Sequence, residues 1–344
     1  MKSKNAKRGE ALPGFSFIIP VLNAERHIRR CLGSIRAQDY PADKVEIILL
    51  DGGCVDSTLE IARGYGARVY PNPGVLAEYG LQVGISRATE DLVVIFAADN
   101  ELSGPGWLTE AAEAFLDDSG CAAVWGPLKS AEDDPPVNRY FELIQSDPMT
   151  FFINRNLKGY LSDPGTVKRG GRYIFRVDPG RPLVWGANGL TIRRKLVADI
   201  WAQEGYLGDN DAFQQMIENG DDQVAYIPRL VTYHHHVGEV KDFVAKWKRN
   251  FSKHFLDKLA TRNTNWVFME GFRTRLMLWL LYSLNPLVSG AHAVFMGLRD
   301  RNRYWAYHPL LCLLQTSVYA WLMVATPKGR QTLLRVARGS DLRG

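Results

Sequence analysis

Short apolar segments alternate with helical patterns through the first hundred residues, and this alternation restricts the fold more than any other feature. The predicted strands are residues 15–20, 45–50, 67–70 and 92–96. The predicted helices are residues 24–37, 57–64 and 75–88. Strands and helices of these lengths in alternation are typical of parallel βαβ units. The sequence therefore predicts an α/β fold with a mostly parallel central sheet.

Polar residues follow three of these strands, at the sheet edge where α/β proteins bind ligands. After the second strand, Gly52 and Gly53 permit a tight turn, and the Asp51 carboxylate can accept hydrogen bonds from a uracil N–H or ribose hydroxyls. A simple turn with a helix N-cap at Asp56 or Ser57 is the alternative for this segment alone.

Asp99 follows the fourth strand and offers the hard oxygen that divalent cations prefer. Such an ion would neutralise a departing diphosphate. For one isolated aspartate, a solvated loop position is the simpler interpretation. The three clusters are therefore informative in combination rather than one at a time.

In order and spacing, the three clusters resemble the family 2 glycosyltransferases of the GT-A fold. The matching positions are Pro20, Asn23 and Glu25 after the first strand, Asp51 and Asp56 after the second, and Asp99 with Asn100 after the fourth. Three later segments extend the resemblance over residues 15–250. They are residues 185–193 (similar to G-x-N/C-x-x-x-R), residues 208–211 (similar to E-D-x-D), and the histidines 234–236 with the basic residues 246–249.

The resemblance implies an inverting, metal-dependent transfer from a nucleotide sugar. It assigns Pro20, Asn23, Glu25, Asp51, Asp56, Asp99, Lys246 and Arg249 to nucleotide-sugar binding. It assigns Mn²⁺ or Mg²⁺ to Asp99 with His234 or His236, the catalytic base to Asp209 with Asp211 as the alternative, and the acceptor to Trp185 and Asn188. Adjacent histidines on a strand alternate faces, so only His234 and His236 are expected to share one.

The chain departs from the family pattern at two positions. Ala97 replaces the first aspartate of the family's D-x-D motif, so metal binding depends on Asp99. Gly208 replaces the glutamate of the E-D pair, so Asp209 has no adjacent carboxylate to raise its pKa. These departures keep open a second hypothesis, a degenerate transferase domain that serves as a membrane-docking scaffold. A nucleotidyltransferase is disfavoured because no glycine- and arginine-rich phosphate loop follows the first strand.

Two apolar segments near the C-terminus predict association with a membrane. Residues 276–298 and 304–327 contain no Asp, Glu, Lys or Arg, and each is long enough to span a bilayer. Pro286 and Gly290 interrupt the first segment, and three arginines occupy the connection 299–303. A spanning hairpin would put those arginines outside, against the positive-inside tendency, whereas a re-entrant or interface-lying hairpin keeps them cytosolic. Two buried helices or a dimer interface are the remaining alternatives.

Composition excludes several classes of protein. The chain has 344 residues, a net charge of +5 and 46% hydrophobic residues, which excludes a disordered or fibrous chain. Basic residues near both ends account for much of the charge, so nucleic-acid binding is not expected. Four widely spaced cysteines indicate free thiols rather than disulfides or a zinc site. No apolar signal segment occurs in residues 1–14.

The predicted organisation is a basic N-terminus (1–14), a GT-A domain (15–250) with a loop-rich acceptor insertion (130–182), and a helical membrane-associated region (251–344). The predicted reaction moves a sugar from a UDP- or GDP-sugar to a polyprenyl-diphosphate saccharide at the cytoplasmic membrane face. Direct transfer to polyprenyl phosphate is the alternative acceptor reaction. The sequence leaves the sugar, the linkage and the oligomeric state open, with a homo-oligomer among the options.

Overall fold

The computed structural model describes residues 12–154, 156–183, 188–203, 206–258 and 271–337. These residues form two compact units, and the chain passes between them several times. The sheet unit comprises the described residues within Met1–Leu128, Tyr160–Pro179 and Trp185–His234. The helical unit comprises those within Lys129–Gly159, Gly180–Val184 and His235–Gly344.

Strands and helices are numbered in chain order. The strands are β1 (Phe15–Val21), β2 (Val45–Asp51), β3 (Arg68–Pro71), β4 (Leu92–Ile95), β5 (Asn100–Leu102), β6 (Ala123–Trp125), β7 (Leu128–Lys129), β8 (Val167–Arg169), β9 (Arg172–Arg176), β10 (Leu190–Arg193), β11 (Gln223–Tyr226) and β12 (Thr232–His234). The helices are α1 (Glu25–Arg36), α2 (Thr58–Gly64), α3 (Ala77–Arg87), α4 (Trp107–Asp117), α5 (Pro136–Ile144), α6 (Pro148–Ile153), α7 (Asn156–Ser162), α8 (Arg194–Trp201), α9 (Asp209–Glu218), α10 (Val240–Asn250), α11 (Phe272–Ser283), α12 (Pro286–Arg299), α13 (His308–Ala325) and α14 (Pro327–Ala337).

A nine-stranded sheet forms the centre of the sheet unit, with the order β3-β2-β1-β4-β10-β6-β11-β9-β8. The strands β3, β2, β1 and β4 pair in parallel, so their carboxyl ends lie along one edge. The apolar side chains of β1, β2 and β4 are buried by the flanking helices, which explains why these three strands are continuous apolar segments, whereas the edge strand β3 has no buried residue. The prediction of an α/β fold with a parallel central sheet is confirmed. A small second sheet has the order β5-β12-β7.

Residues 130–182 differ from the loop-rich segment that their composition predicted. The structure forms α5, α6, α7 and the β8–β9 hairpin there. Pro136 and Pro148 each occupy a first-turn position of a helix, where proline's missing N–H costs nothing. The proline content was read as loop composition, whereas it begins two helices. The predicted role of this segment in binding the acceptor stays a prediction.

The first apolar segment forms two helices, because α11 ends at Ser283 and α12 begins at Pro286. The side chain of Asn285 caps α12 by accepting hydrogen bonds from the N–H groups of Leu287 and Val288. Among the described residues, one helix, Arg303–Ala325, is long and apolar enough to cross a membrane. Length and composition are weak evidence for spanning, since buried core helices pass the same test.

Candidate functional site

Two loops at the carboxyl edge of the parallel strands are joined by reciprocal hydrogen bonds. Asp56 Oδ2 accepts from the N–H of Glu25 at 3.1 Å, where α1 begins. Glu25 Oε2 accepts from the N–H of Ser57 at 3.3 Å, next to the start of α2. Each carboxylate therefore satisfies a backbone donor at the start of the other helix, where the dipole favours negative charge. This exchange fixes the spacing between the two loops.

Asp51 and Asn23 organise the turn between β2 and α2. Asp51 Oδ1 accepts from the N–H groups of Gly53 (2.9 Å) and Cys54 (2.7 Å), and Asn23 Oδ1 accepts from the N–H of Val55 (2.9 Å). Asn23 adopts a left-handed φ of 52°, a conformation that asparagine tolerates better than most residues. The polar groups predicted to line a nucleotide pocket thus also hold one another in place.

The two aspartates of the second loop are held in their ionised form. For Asp51, desolvation is the largest influence and raises the pKa, but hydrogen bonds from Cys54 and Gly53 and the charge of Arg63 together bring the pKa below its ordinary value. The hydroxyl of Thr58 is the main cause that lowers the pKa of Asp56. Both side chains therefore remain negatively charged acceptors at neutral pH.

Pro20 lies on β1 beside α3, and its side chain limits how closely α3 can approach β1. A Cβ at Gly80 would come within 3.0 Å of the Pro20 side chain, so a small residue is needed there for the helix to approach the strand. Pro20 and Gly80 therefore form the contact between β1 and α3 next to the loop that follows β1.

Asp99 and His234 meet beyond the end of β4. Asp99 Oδ2 lies 3.5 Å from His234 Nε2, and both side chains are partly exposed. The β5–β12 ladder causes this approach, because His234 pairs with Asn100, the residue after Asp99. A carboxylate oxygen and an imidazole nitrogen side by side are suitable ligands for Mn²⁺.

Asn100 contributes a second unusual feature next to this pair. Its side chain is 1% exposed, and neither its Oδ1 nor its Nδ2 has a hydrogen-bond partner in the described part of the chain. Two unsatisfied buried polar atoms are rare in native proteins and commonly mark a functional or water-filled site. The sequence motif contains Asn100 but indicates no role for it, because the burial of Asn100 depends on the pairing of β5 with β12.

The other two histidines have different partners, and both belong to the helical unit. His235 Nδ1 lies 2.7 Å from Asp134 Oδ1, and His236 Nδ1 lies 3.0 Å from Lys246 Nζ. The strand β12 ends at His234, so the alternation of faces does not extend to His236. Of the two histidines predicted as alternatives for the metal, His234 is the one beside Asp99.

Lys246 and Arg249 both lie on α10. Lys246 is partly buried through its contact with His236, while Arg249 is exposed on the same helix. Their predicted role at a diphosphate stays a prediction.

The two aspartates predicted as alternative bases occupy the first turn of α9, which begins after Gly208. Asp209 is partly buried, and its Oδ1 accepts from the backbone N–H and side-chain Nδ2 of Asn210, at 2.7 and 3.1 Å. Asp211 is 3% exposed. Asp209 is therefore the more accessible of the two carboxylates to a substrate hydroxyl.

The segment predicted to contact the acceptor is described only from Asn188 onward, and Trp185 lies outside the described residues. Gly189, next to Asn188, donates its N–H to the carbonyl of Ile95 at 2.8 Å. Its φ is 86°, and a Cβ there would lie 2.6 Å from Thr232 Oγ1, so only glycine fits. Gly189, the residue after Asn188, is thus tied to the end of β4, the strand that leads to Asp99.

The donor set is compatible with a divalent cation, but it is incomplete. Among the described residues, no group of three or more His, Cys, Asp or Glu side chains is arranged to hold a metal ion. Asp99 and His234 together supply two donors. Mg²⁺ and similar ions at phosphate sites are commonly held by one or two protein groups, with substrate phosphates and water completing the shell. Two donors therefore fit a cation that arrives with a diphosphate.

Comparison with known proteins agrees with the motifs. Residues 16–174 match the family described as "Glycosyl transferase family 2". The resemblance to family 2 glycosyltransferases is thereby confirmed for this part of the chain.

Two curated relatives and one solved structure are similar to the chain. Glycosyltransferase AglE of Haloferax volcanii is 42% identical over 67 residues, which are 20% of this chain and 22% of AglE. A Methanococcus voltae dolichyl N-acetyl-alpha-D-glucosaminyl phosphate 3-beta-D-2,3-diacetamido-2,3-dideoxy-beta-D-glucuronosyltransferase is 33% identical over 90 residues, 24% of this chain and 28% of that protein. The mannosyltransferase PcManGT of Pyrobaculum calidifontis, solved with GDP-Man and Mn²⁺, has a TM-score of 0.52 at 16% identity, covering 90% of this chain and 88% of that one.

These likenesses differ in what they establish. The matches to the two curated relatives span only about a quarter of those proteins' own lengths. The likeness to the mannosyltransferase supports the GT-A fold and nothing finer, because the identity is low.

Proposed function

Proceeding from the family 2 match over residues 16–174, we propose that this chain is an inverting glycosyltransferase. Its donor is a nucleoside-diphosphate sugar, with UDP or GDP as the nucleotide. Its acceptor is a lipid-linked saccharide of the polyprenyl-diphosphate type, reached at the cytoplasmic face of a membrane. The observation that carries the donor part is the approach of Asp99 to His234, 3.5 Å apart at the carboxyl edge of the parallel strands.

The nucleoside would bind along the loops that follow β1 and β2. Asp51 and Asp56 are ionised acceptors there, suited to the N–H and hydroxyl donors of a base and ribose. Pro20, Asn23 and Glu25 complete this wall, and the exchange between Glu25 and Asp56 keeps it rigid. A preformed pocket loses less entropy on binding than a flexible one.

Asp99 and His234 would hold the divalent cation, Mn²⁺ or Mg²⁺. When bound, the cation supplies charge neutralisation for the diphosphate that leaves. Asn100 would lie behind this pair. Lys246 and Arg249 on α10 would add positive charge for the diphosphate, as the resemblance implies.

Asp209 would act as the base. It takes the proton from the acceptor hydroxyl while the oxygen of that hydroxyl attacks the anomeric carbon from the face opposite the diphosphate. The new C–O bond forms as the bond to the diphosphate breaks, so one displacement inverts the configuration. Asp211 is the alternative base, and Trp185 and Asn188 would contact the acceptor sugar.

The lipid-linked acceptor is supported by two observations. The name of the Methanococcus voltae relative specifies a dolichyl phosphate-linked sugar. The helical unit exposes many apolar side chains between Met277 and Leu334, as expected of a protein that works beside a bilayer. Direct transfer to polyprenyl phosphate is the alternative reaction. In this proposal, residues 15–250 form the transfer domain and residues 251–344 form the membrane-associated region.

A catalytically inactive docking scaffold is a second candidate, favoured by Ala97 and Gly208 at positions where the family has carboxylates. Substitution of Asp99 and Asp209 separates the two. Loss of transfer with retained folding would eliminate the scaffold.

A panel of nucleotide sugars tests the proposal. The purified full chain is heated in detergent with each sugar and Mn²⁺ or Mg²⁺, and the melting temperature is measured. We expect one UDP- or GDP-sugar to raise it, and EDTA or Asp99→Ala to abolish the rise. The matched control is Asp43→Ala, an acidic residue outside the loops. No rise with any sugar, for a folded protein, would contradict the proposed donor site.

A further inference from the structure

The helical unit exposes many large apolar side chains and buries several polar ones. Of the twenty large apolar side chains exposed among the described residues, fourteen lie between Met277 and Leu334. The most exposed of them is Leu287, at 84%, and Leu298 follows at 76%. An exposed apolar surface of this extent marks an interaction site in a folded protein.

The interior of the same helices contains a buried polar cluster beside its apolar core. His308 is buried, with Tyr140 Oη 2.7 Å from its Nδ1 and Tyr282 Oη 2.7 Å from its Nε2. Tyr282 Oη also lies 2.6 Å from His292 Nδ1. Gln315, fully buried on α13, donates to Asp147 Oδ1 at 2.7 Å. Buried polar groups behind an exposed apolar face suit helices whose outer face contacts lipid.

The helix α13, which is long enough to span, is attached along its length to helices that carry charges. At its start, Trp305 is 2% exposed and packs against the rings of Tyr140 of α5 and Phe151 of α6. Near its other end, Tyr319 stacks on Phe251 just after α10, with ring centroids 4.3 Å apart. The turn before α13 and the second half of α13 therefore both contact other helices of this unit.

This attachment is incompatible with a crossing. If α13 spanned the bilayer, α10 would have to enter the hydrocarbon with it, and α10 carries Lys246, Lys248 and Arg249. Charged residues at that depth cost several kcal/mol each, roughly 2.5–3.5 by insertion scales. The helices α11 and α12 are each too short to span, at about 18 and 21 Å against a hydrocarbon core of about 30 Å.

Positive charge borders the apolar face. Arg273 lies at the start of α11, Arg299, Arg301 and Arg303 lie between α12 and α13, and Lys328 lies at the start of α14. Lys248 Nζ lies 5.3 Å from the centre of the Trp321 ring, and Trp321 is exposed on α13. A tryptophan beside a lysine is typical of the level where acyl chains meet headgroups. Basic side chains at that level complement anionic lipid.

We propose that the helical unit enters one leaflet without crossing the bilayer, and that its occupant is a membrane containing anionic lipid. Residues 284–288 (the elbow), which join α11 to α12 and include the first turn of α12, enter most deeply, because every side chain in the elbow is exposed and three of them are large and apolar. The connection 299–303 stays on the same side of the membrane as the sheet unit. This inference rests on the proposed membrane association and specifies its depth.

Cysteine labelling tests the topology on the full chain in cells and in inverted membrane vesicles. The background is Cys54→Ser, since the other three cysteines are buried. One probe is Arg301→Cys and the matched control is Glu60→Cys on exposed α2 of the sheet unit. We expect a membrane-impermeant maleimide to label both in inverted vesicles and neither in intact cells. Labelling of Arg301→Cys from the side opposite to Glu60→Cys would overturn the proposal.

Vesicle flotation tests the occupant. Purified protein is mixed with vesicles of phosphatidylcholine alone, or with vesicles in which about one lipid in three is the anionic phosphatidylglycerol. We expect Leu284→Gln with Leu287→Gln to lower vesicle affinity on the order of tenfold or more, whereas Leu116→Gln with Val167→Gln in the sheet unit leaves it unchanged. Phosphatidylcholine alone should bind more weakly.

A failure of the membrane proposal can be distinguished from a failure of the proposed donor site. The elbow variant should keep the nucleotide-induced rise in melting temperature, so loss of flotation alone concerns the membrane. A wild-type protein that fails to float but forms a detergent-free dimer, which the elbow variant dissociates, would overturn the proposal in favour of a second copy of this chain.

Discussion

The sheet unit and the helical unit distribute similar residues in opposite ways. In the sheet unit, Ile18, Leu49 and Val94 are fully buried, and polar groups gather at the carboxyl edge of the strands. In the helical unit, leucines of α11 and α12 face outward while His308 and Gln315 are buried. The comparison teaches that hydrophobic content does not by itself determine burial, and the exposed leucines are what the proposed membrane association of the helical unit predicts.

The largest difference is expected when a leucine is shortened in each unit. Leu49→Ala leaves a cavity in the core of the sheet unit and should lower the free energy of unfolding by roughly 2–5 kcal/mol. Leu287→Ala removes an exposed side chain and should change it by less than about 0.5 kcal/mol. Denaturant titration in detergent measures both. Equal losses would break the comparison.

Breaking the polar interior of the helical unit should have the next largest effect. His308→Leu leaves the buried Tyr140 hydroxyl without its partner, which should lower the free energy of unfolding by about 1–3 kcal/mol. Adding Tyr140→Phe removes that hydroxyl and should restore part of the loss. A double-mutant cycle by thermal unfolding measures the coupling. A strictly additive double variant would show that the two side chains are not coupled.

The loop after β2 should show a smaller effect that depends on pH. Asp51→Ala removes an acceptor of two backbone hydrogen bonds and should cost about 1 kcal/mol at pH 7. Because folding lowers the pKa of Asp51, its stabilisation is present above the ordinary aspartate pKa and is lost as the pH falls through the lower folded value. The melting temperatures of wild type and variant should therefore converge below about pH 4. Glu60→Ala is the control, and a gap that persists in acid would contradict the assignment.

The smallest expected effect concerns the border of the apolar face. Lys248→Gln removes the cation beside Trp321 and should weaken binding to anionic vesicles by about fivefold at low salt, which corresponds to roughly 1 kcal/mol. Salt screens exposed charges, so the effect should shrink at high ionic strength. Flotation at two salt concentrations measures it. An effect that does not depend on salt would point to packing rather than charge.

The parallel half of the fold was predictable because β1, β2 and β4 are continuous apolar segments followed by polar residues. The antiparallel strands β9 and β10 were not predicted individually, since their burial depends on partners distant in the chain, such as β11 and β4. The composition of residues 130–182 predicted a loop-rich segment, whereas Pro136 and Pro148 begin helices there rather than interrupt them. Proline has both uses, and composition does not separate them.

The candidate site was predictable in its residues but not in its pairings. The spacing of motifs singled out Asp99 and the histidines 234–236, and it left two of those histidines as equal alternatives. Only the pairing of β5 with β12 brings His234 to Asp99, and only the end of β12 turns His236 toward Lys246. The burial of Asn100 follows from the same pairing. The pairing of β5 with β12 joins residues more than a hundred positions apart and has no local sequence signal.

His234 and His236 allow the most direct test of the donor site, because His234 lies beside Asp99 whereas His236 contacts Lys246. We would titrate Mn²⁺ into the full chain with bound nucleoside diphosphate, following the signal of free Mn²⁺ by electron paramagnetic resonance. His234→Gln should weaken Mn²⁺ binding about tenfold or more, whereas His236→Gln, which keeps a hydrogen-bond acceptor for Lys246, should change it less than about twofold. The reverse order, or no effect of either variant, would contradict a metal–diphosphate site at Asp99 and His234.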